Sequence, residues 1–377
     1  MKIGYDGKRA VQNFTGLGNY SRYVLEALQE YFPDNEYVIY ATKWKENPRI
    51  NSVFNSRSST LRLPFLGWWR KFPFLWRTWG MASMLRMDKI ELYHGLSNEL
   101  PLNIHRIKGM KSIVTIHDLI FLHLPKCYHF IDRLIYNYKF KRSCKNADRI
   151  IAVSECTKRD IISAYGIPSD KIEVIYQGCD PAFAKIVSEA RKSEVRGLYA
   201  LPEHYILSVG TIEERKNALL AVKAMRYLPE QYHLVLVGWK KPYVKRLEDF
   251  IVQNGLEQRV HIQDDIPFAD LPAIFQCADV FVYPSYYEGF GIPILEALNS
   301  QIPVVAATGS CLEEAGGPYS LYVHPDDDKG LADAIVQSLL PQNRQRMITE
   351  GLKWASQFSK EQMARETMKC YDAVLKQ

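Results

Sequence analysis

The sequence VFVYPSYYEGFGIPILEA, residues 280–297, places a strand, a glycine-rich loop and a helix start in direct succession. Residues Val280 to Tyr283 are apolar or aromatic throughout, which is typical of a strand covered on both faces of a sheet. Pro293 suits the first turn of a helix, because the N–H that proline lacks would have no partner there. The stretch therefore predicts a strand-to-helix unit of a parallel sheet, and such sheets bind ligands at the carboxyl ends of their strands.

Similar units recur along the whole chain. Amphipathic stretches separate the apolar runs, and this alternation is the signature of a parallel sheet wound with helices. The predicted fold class is α/β, with two doubly wound, Rossmann-like domains that face each other across a cleft. The other apolar runs are residues 2–5, 36–41, 92–94, 112–116, 149–153 and 172–175 in the first half, and 205–210, 233–238, 303–307 and 321–325 in the second.

Composition along the chain sets the expected domain boundaries. A chain of 377 residues, 47% of them hydrophobic, can bury two ordinary cores. Residues 181–203 are polar and carry two prolines and a glycine, so they are expected to form the linker. The first domain is then expected at 1–180 and the second at 204–359. A C-terminal helix at about 360–377 is expected to pack back on the first domain.

Cysteine spacing is more informative than net charge in this chain. The formal net charge of +6 is modest and decides little by itself, no block of like charge is long enough for a disordered tail, and no nucleic-acid partner is expected. The seven cysteines include no Cys-x-x-Cys pair, which argues against a disulfide framework and a zinc site. The first ten residues lack the pattern of a secretory signal, and no apolar run reaches the ~18 to 20 residues of a membrane span. A cytoplasmic location is expected.

Two carboxylates frame the glycine-rich loop. Glu288 lies just beyond the predicted strand, and Glu296 lies about one turn into the predicted helix. Between them, Gly289, Phe290 and Gly291 approach the helix N-terminus, whose free N–H groups and positive dipole end favour a phosphate or an oxygen-rich sugar. Both carboxylates could accept hydrogen bonds from hydroxyl groups. Either glutamate considered alone is better explained as a solvated charge at a helix end.

A pair of cations follows another predicted strand. Gly210 ends the apolar run at 205–210, and Arg215 and Lys216 stand just before a stretch with the pattern of a helix. Arginine offers a planar fork of donors and lysine a point charge, so this loop is suited to clamp a diphosphate. The competing interpretation is an exposed charged loop with Asn217 as the helix N-cap.

The first half of the chain offers weaker signals. His117 stands just beyond an apolar strand, where it could bind a sugar hydroxyl or serve as a structural residue. Gly16 and Gly18 lie too far from the first strand, and lack the third glycine, for a dinucleotide fingerprint. The run Asp326 to Asp328 satisfies an Asp-x-Asp metal pattern, but Asp328 is adequately explained as a helix N-cap. No metal site is therefore predicted.

Taken together, these motifs resemble the family-4 retaining glycosyltransferases, which have the GT-B fold of two Rossmann-like domains. The resemblance covers nearly the whole chain and extends to bacterial enzymes of mannosyltransferase type in polysaccharide assembly. The ordered set of motifs is specific, although each motif alone is not. The segments that carry it are Gly16 to Tyr20, Thr115 to Asp118, Val153 to Glu155 with Lys158 to Asp160, Gly210 to Asn217, Pro284 to Gly291, and Ser310 with Glu313 to Gly316.

The resemblance implies a role for each matching residue. It places Glu288 at the donor sugar and Glu296 at the ribose hydroxyls, while Arg215 and Lys216 match cations that bind the donor diphosphate. His117 matches a histidine that touches the donor sugar, and the Gly16 to Gly18 loop matches one that closes over the phosphates. The implied catalytic set is Glu288, His117, Lys216 and Arg215, and the implied donor-binding set is Gly16, Gly18, Gly210, Arg215, Lys216, Gly289, Phe290, Gly291 and Glu296.

The implied reaction moves a hexosyl group from a nucleotide diphosphate sugar, with GDP-mannose favoured, to a glycan or lipid-linked glycan in surface polysaccharide synthesis. The first domain then binds the acceptor and the second the nucleotide sugar, and neither a cofactor nor a metal is implied. Thr211 and Asn19 depart from the family pattern, because many members have arginine at these positions. A nucleotide-sugar epimerase of the same fold and a non-catalytic sugar- or nucleotide-binding protein stay open as alternatives.

An aromatic and basic segment indicates where the acceptor is met. Residues Leu66 to Trp79 contain four tryptophans, two phenylalanines and three cations, a composition that suits the headgroup layer of an anionic membrane. The alternative is a helix that begins near Phe74 and turns its tryptophans into the core. A second basic aromatic stretch, Tyr136 to Lys145, favours the first interpretation. The N-terminal domain is therefore expected to dock peripherally on the inner face of the cytoplasmic membrane.

Overall fold

The computed structural model describes residues 1–13, 15–45, 50–54, 58–65 and 67–377. The chain divides into two compact units: the first comprises Met1–Gln177 with Ser359–Gln377, and the second comprises Gly178–Phe358. Each unit is built on one parallel sheet. The predicted α/β fold class with two Rossmann-like domains is therefore confirmed.

The first unit, over its described residues, has seven strands: β1 (Lys2–Asp6), β2 (Glu36–Tyr40), β3 (Ser59–Arg62), β4 (Leu92–Gly95), β5 (Lys111–Ile116), β6 (Arg149–Ala152) and β7 (Ile172–Val174). They lie in the order β3-β2-β1-β4-β5-β6-β7, and all pair in parallel. The helices between them are α1 (Lys8–Gln12), α2 (Gly16–Tyr31), α3 (Asn51–Phe54), α4 (Gly67–Lys71), α5 (Pro73–Leu75), α6 (Met81–Met87), α7 (Ile120–His123), α8 (Phe130–Asn146) and α9 (Glu155–Tyr165).

The second unit has six strands: β8 (Tyr205–Val209), β9 (His233–Val237), β10 (Val260–Gln263), β11 (Val280–Tyr283), β12 (Val304–Ala307) and β13 (Leu321–Val323). Their order is β10-β9-β8-β11-β12-β13, again all parallel. The helices of this unit are α10 (Glu189–Leu198), α11 (Ala218–Ala224), α12 (Val244–Gln253), α13 (Leu271–Gln276), α14 (Ile292–Asn299), α15 (Leu312–Gly316), α16 (Asp328–Leu339) and α17 (Pro341–Ala355).

Burial on both faces explains why the central strands are apolar throughout. All four residues of β11 and all four of β12 are buried, as are five of the six in β5. Side chains alternate between the two faces of a strand, so a strand buried in this way must be covered by other elements on both sides. Each unit thereby forms its own hydrophobic core around its sheet.

The expected linker, residues 181–203, differs from prediction because it belongs to the second unit. Phe183 is fully buried, and its ring lies 5.2 Å from the ring of Phe275. Within α10, Arg191 forms an ion pair with Asp270, while the Tyr199 hydroxyl donates to the same carboxylate over 2.5 Å. The segment reads as polar because α10 is a surface helix in which only Val195 is buried.

The last helix, α18 (Lys360–Leu375), belongs to the first unit and packs against α2. Ser359 caps its start by accepting a hydrogen bond from the backbone N–H of Gln362 at 3.1 Å. Further along, the hydroxyl of Tyr371 lies 2.6 Å from Nδ1 of His94, and both side chains are fully buried. The end of the chain is thus joined to the centre of the first sheet.

The tryptophan-rich segment forms several short helical pieces. The α5 helix begins at Pro73 and is followed by a π-helix, Trp76–Gly80, and then by α6. Trp76 is buried in the core, as the helix interpretation expects, whereas Trp79 is 46% exposed. Leu66 and the side chain of Trp68 lie outside the described residues. Within the described ranges, no helix has the length and apolar content needed to cross a membrane.

Candidate active site

The carboxyl edge of the second sheet brings the two predicted motifs together. Strand β8 lies between β9 and β11, so the chain leaves β8 toward one side of the sheet and returns to its other side. This reversal is the topological switch point at which doubly wound sheets bind ligands. The loop after β8 carries Arg215 and Lys216, and the loop after β11 carries Glu288.

Glu288 forms a charged cluster with both cations. Its Oε2 lies 2.9 Å from an Nη of Arg215, and its Oε1 lies 2.5 Å from Nζ of Lys216. The guanidinium of Arg215 also pairs with Glu213 at 2.9 Å, and the Tyr283 hydroxyl lies 3.3 Å from Oε1 of Glu288. The cluster is therefore a shared ion pair rather than an exposed charged loop, because the side chain of Glu288 is only 10% exposed.

The charges of this cluster support one another. Burial by itself raises the pKa of Glu288, but Lys216 and Arg215 outweigh burial and lower that pKa to about 2. Burial lowers the pKa of Lys216, and the Glu288 carboxylate opposes this shift. Glu288 is consequently ionised throughout the physiological pH range and holds the two cations beside the switch point.

Two backbone features shape the loops around the cluster. Gly238, which follows β9, has φ +157°, and a Cβ there would lie 1.9 Å from the carbonyl oxygen of Gly210. Gly291 has φ +132° and precedes the first residue of α14. The thiol of Cys311 lies 3.0 Å from the carbonyl oxygen of Glu288 and 2.9 Å from that of Phe290. The loop that carries Glu288 is thus held at its backbone as well as at its side chain.

The remaining predicted donor-binding residues of this unit have different surroundings. The side chain of Phe290 is buried, and its ring lies 5.6 Å from the ring of Phe358, which leaves its main chain to meet a ligand. Gly289 lies between Glu288 and Phe290 in the same loop. Burial raises the pKa of Glu296 to about 8, and the negative charge of Asp180 adds to this rise. The pKa of Glu296 is therefore shifted in the opposite direction from that of Glu288.

His117 belongs to the first unit. Its backbone N–H donates to Oδ1 of Asn98 over 2.7 Å, and its ring Nε2 lies 2.8 Å from the carbonyl oxygen of Leu96. A carbonyl can only accept, so Nε2 carries the proton. Burial lowers the pKa of His117 to about 4, which makes the ring neutral at pH 7 and leaves Nδ1 as a hydrogen-bond acceptor.

Gly16 and Gly18 lie in the first turn of α2, not in the loop that the sequence analysis expects. A Cβ at Gly18 would lie 1.9 Å from the carbonyl oxygen of Asn13, so glycine allows the preceding segment to approach the helix. Arg22 holds this arrangement by donating to the carbonyl of Asn13 over 2.8 Å and to Oδ1 of Asn19 over 2.6 Å. Asn19 stands where many family members have arginine, and its side chain thus accepts a hydrogen bond within the first unit.

The acidic run at 326–328 caps a helix. Asp327, and not Asp328 as predicted, is the N-cap of α16, because its Oδ1 accepts the N–H of Gly330 at 2.7 Å. Asp328 pairs instead with Arg226 at 2.5 Å. Over the part of the chain that the structure describes, no group of three His, Cys, Asp or Glu side chains is arranged to hold a metal ion.

Sequence reasoning missed three members of the site. Tyr283 is the last residue of an apolar run and reads as a core aromatic, and Cys311 reads as a lone buried cysteine. Glu213 lies in the same loop as Arg215 and Lys216 and reads as an exposed loop charge. None of the three has a sequence signal, because their contacts join residues that are far apart in the chain or depend on the turn of the loop.

Two Rossmann-like domains, with a cation and carboxylate cluster at the switch point of the second, define a protein of the GT-B class. The family model described as "Glycosyl transferases group 1" matches residues 193–354, and the model "Glycosyltransferase Family 4" matches residues 14–183. The chain belongs to the family-4 retaining glycosyltransferases and is an enzyme of that family. The predicted family is therefore confirmed.

Individual relatives extend this likeness. The O-antigen chain mannosyltransferase B of Escherichia coli is 30% identical to this chain. Their alignment is 386 residues long and covers 98% of this chain and 99% of the relative. The O-antigen chain mannosyltransferase RfbU of Salmonella typhimurium is 26% identical, over 76% of this chain and 74% of its own. Among solved structures, Anabaena HepE in complex with UDP and glucose has a TM-score of 0.78 at 19% identity, covering 99% of this chain and 100% of its own. This last likeness supports the fold.

Proposed function

We propose that this enzyme transfers a mannosyl group from GDP-mannose to a glycan or lipid-linked glycan in the synthesis of a surface polysaccharide. The likeness to two O-antigen chain mannosyltransferases, one of them over nearly the full length of both chains, supports the sugar and the pathway class. The observation that carries the chemistry is the cluster of Arg215, Lys216 and Glu288 at the switch point. Its two cations suit a diphosphate leaving group.

Arg215 and Lys216 are proposed to stabilise the departing diphosphate. As the bond from the anomeric carbon to the β-phosphate oxygen breaks, negative charge grows on that oxygen, and cations already in position stabilise it. Glu288 holds both cations in place before a donor arrives, so little reorganisation is needed during the reaction. The donor phosphates then share the two cations with the carboxylate. On this proposal the cations do the work of a metal ion, and none is required.

Transfer with retention requires the acceptor hydroxyl to attack from the face that the diphosphate leaves. The leaving diphosphate can then accept the proton of that hydroxyl, and no covalent glycosyl-enzyme is needed. Glu288 is ionised, so it cannot act as an acid, but its charge can stabilise the oxocarbenium-like sugar. The neutral ring of His117 is proposed to accept a hydrogen bond from a hydroxyl of the donor sugar.

A donor panel tests this proposal. Melting temperatures are measured with GDP-mannose, UDP-glucose and ADP-glucose, because only a ligand that the native state binds preferentially raises the transition. GDP-mannose is expected to give the largest shift, and product NMR is expected to show the anomeric configuration of the donor. A larger shift with UDP-glucose contradicts the proposed donor. Release of an epimerised sugar nucleotide without an acceptor supports the epimerase alternative instead.

We also propose that the first unit contacts an anionic membrane in order to reach a lipid-linked acceptor. The α8 helix has an exposed apolar stripe that sequence reasoning missed: Phe130, Ile131, Leu134, Ile135 and Tyr138, each between 44% and 68% exposed. Three exposed cations, Lys141, Arg142 and Lys145, continue along the C-terminal half of the helix. Apolar side chains beside cations suit insertion at the level of anionic headgroups.

The tryptophan-rich segment adjoins this helix. Nζ of Lys139, on α8, lies 4.4 Å from the ring centroid of Phe74. Phe72, Phe74 and Trp79 are between 46% and 56% exposed, and Arg70 and Lys71 are exposed as well. The exposed side chains of α8 and of residues 70–79, called the docking surface below, therefore combine aromatic groups with cations. This charge pattern favours anionic lipid over a second copy of the chain, whose own cations would repel.

A further inference from the structure

The hydroxyl of Tyr283 lies inside the charged cluster, although its ring belongs to the core of the second unit. Nζ of Lys216 lies 2.5 Å from this hydroxyl, which is itself 3.3 Å from Oε1 of Glu288. The Tyr283 ring is stacked on Phe281 with centroids 5.8 Å apart. We propose that Tyr283 is a positioning residue of the transfer reaction, which fixes Lys216 and Glu288 relative to each other. This inference rests on the proposed donor site.

The direction of the two hydrogen bonds follows from the chemistry of the groups. A lysine ammonium can only donate, so the phenol oxygen accepts from Lys216. The phenol proton is then available to Glu288, whose carboxylate can only accept. Burial and the nearby Glu288 charge raise the pKa of Tyr283 well above its usual range, so the phenol keeps its proton. Tyr283 therefore bridges the cation and the carboxylate and does not act as a base.

This bridge leaves one donor of Lys216 for a ligand. The ammonium group has three N–H bonds, of which Tyr283 and Glu288 take one each. With two of the three directions set, the third has a defined direction too. Lys216 and Tyr283 line one small cavity together with Gly210 and Thr211, the loop proposed to meet the donor phosphates. Tyr283 thus determines where the lysine charge is presented.

Tyr283→Phe isolates the hydroxyl, because phenylalanine keeps the ring that packs on Phe281. Tyr205→Phe is the matched control. Tyr205 is a fully buried tyrosine on the adjacent strand β8, and its hydroxyl donates to the carbonyl of Ile274 over 2.5 Å, away from the charged cluster. Both variants lose one buried hydroxyl; Tyr205→Phe loses one hydrogen bond, and Tyr283→Phe loses two. Only the first loses a hydrogen bond to the charged groups of the site.

Turnover with GDP-mannose and binding of GDP are measured for wild type and both variants. Losing a hydrogen bond to a charged group corresponds to roughly a 10- to 100-fold effect, so kcat of Tyr283→Phe is expected to fall by about that factor, with weaker GDP binding. Tyr205→Phe is expected to keep wild-type kcat even if its melting temperature falls. In the background of Lys216→Met, Tyr283→Phe is expected to have a smaller effect than in the wild type, because the hydrogen bond to Lys216 is already absent.

The pH dependence of activity distinguishes a positioning role of Tyr283 from a purely structural one. Lys216 faces Glu288, Arg215, Glu213 and Tyr283, and burial already lowers its pKa. The phenol oxygen accepts from the charged form of the lysine, so its removal lowers that pKa further. The alkaline loss of activity, where Lys216 gives up its proton, is therefore expected at lower pH in Tyr283→Phe. The alkaline limb of Tyr205→Phe is expected to match wild type.

Two results separate this inference from the proposed function. If the wild-type enzyme binds GDP but transfers no sugar, the proposed reaction is wrong. The positioning role of Tyr283 can then still be tested by GDP binding. Equal GDP affinity, equal kcat and the same alkaline limb in Tyr283→Phe and Tyr205→Phe overturn the role of Tyr283. Full additivity of Tyr283→Phe with Lys216→Met also overturns it, since the tyrosine would then act independently of the lysine.

Discussion

At the scale of single residues, the site depends on one carboxylate that two cations share. Removing one partner of a buried ion pair leaves the other charge without compensation, and this costs more than the loss of an exposed pair. Glu288, Arg215 and Lys216 are therefore expected to depend on one another both for their positions and for their charge states. Glu288 lies 73 positions after Arg215 and 72 positions after Lys216, so the fold is what brings the three side chains together.

Substitution of the cluster tests this directly. Arg215→Ala, Lys216→Ala and Glu288→Ala are each expected to lower kcat by about 100-fold or more, because each removes an oriented charge that acts in the transition state. Lys245→Ala is the matched control, since Lys245 is an exposed cation that pairs with Asp249 at 2.9 Å, outside the cluster. Steady-state kinetics and circular dichroism separate activity from folding. Near-normal turnover in both Glu288→Ala and Lys216→Ala would rule out the proposed site.

If Glu296 binds the donor ribose, as the family resemblance implies, donor binding is expected to depend on pH. Its raised pKa, about 8, means that the carboxyl is protonated below that pH and ionised above it. The ionised form accepts stronger hydrogen bonds from ribose hydroxyls, so GDP affinity is expected to rise by roughly tenfold from pH 7 to pH 9. Isothermal titration calorimetry on wild type and Glu296→Gln measures this. If the GDP affinity of Glu296→Gln rises with pH as steeply as that of the wild type, another group causes the effect.

Ionisation of Glu296 is also expected to lower the free energy of unfolding as the pH rises. The folded-state pKa of Glu296 lies above its unfolded value, so the protonated form is favoured in the folded state. Its contribution to the free energy of unfolding is complete at low pH and is lost as the pH rises toward 8. Glu296 thus reduces the stability of the empty enzyme in the range where its charge is proposed to serve the donor.

At the scale of elements, α8 is the clearest surface feature of the first unit. A helix that packs on a domain normally exposes a polar face, yet five apolar side chains of α8 between residues 130 and 138 are exposed. Exposed apolar side chains that lie together mark interaction surfaces more often than isolated ones do. The element therefore needs an explanation beyond packing, and the proposed lipid contact supplies one.

Vesicle co-sedimentation tests the docking surface. Ile131→Glu and Leu134→Glu are expected to abolish binding to phosphatidylglycerol vesicles at low salt, because each places a carboxylate at an anionic, apolar boundary. Ile186→Glu is the matched control, since Ile186 is an 81% exposed apolar residue of the second unit. Wild type is expected to bind neutral phosphatidylcholine vesicles less well. Binding by Leu134→Glu at the wild-type level would exclude α8 as the contact.

At the scale of the whole molecule, the proposed mechanism requires no metal ion. The chain has a formal net charge of +6, and two of its cations meet at the switch point of the second sheet. Asp327 and Asp328 of the acidic run are engaged in capping α16 and in an ion pair with Arg226. On the proposed mechanism, Arg215, Lys216 and backbone N–H groups meet the diphosphate charge without a metal.

Chelation provides the corresponding measurement. Transfer activity is expected to survive EDTA, because Arg215, Lys216 and backbone N–H groups stabilise the phosphate charge. A chelator-treated sample that is re-supplied with magnesium or manganese serves as the control and is expected to show the same rate. Complete loss of activity that either metal restores would contradict the proposal and bring Asp326 and Asp328 back as candidate ligands.

Local sequence determined the strands, the strand-to-helix motif and the family of this protein. The runs at 205–210 and 280–283 predict β8 and β11 correctly, because residues buried on both faces of a sheet must be apolar whatever covers them. Pro293 correctly indicated the start of α14, since proline fits where a helix has no N–H partner. These features depend on neighbours along the chain, so they can be read from it.

Which side chains meet, and which are covered, depends on contacts between distant parts of the chain. Residues 181–203 look like a linker by composition, yet Phe183 is buried against Phe275. Trp76 and Trp79 stand three residues apart in one segment, and only the first is covered. Tyr283 reads as a core aromatic, but its hydroxyl joins Lys216 to Glu288. Burial and hydrogen bonding depend on elements that arrive from distant parts of the chain, and local sequence carries no record of them.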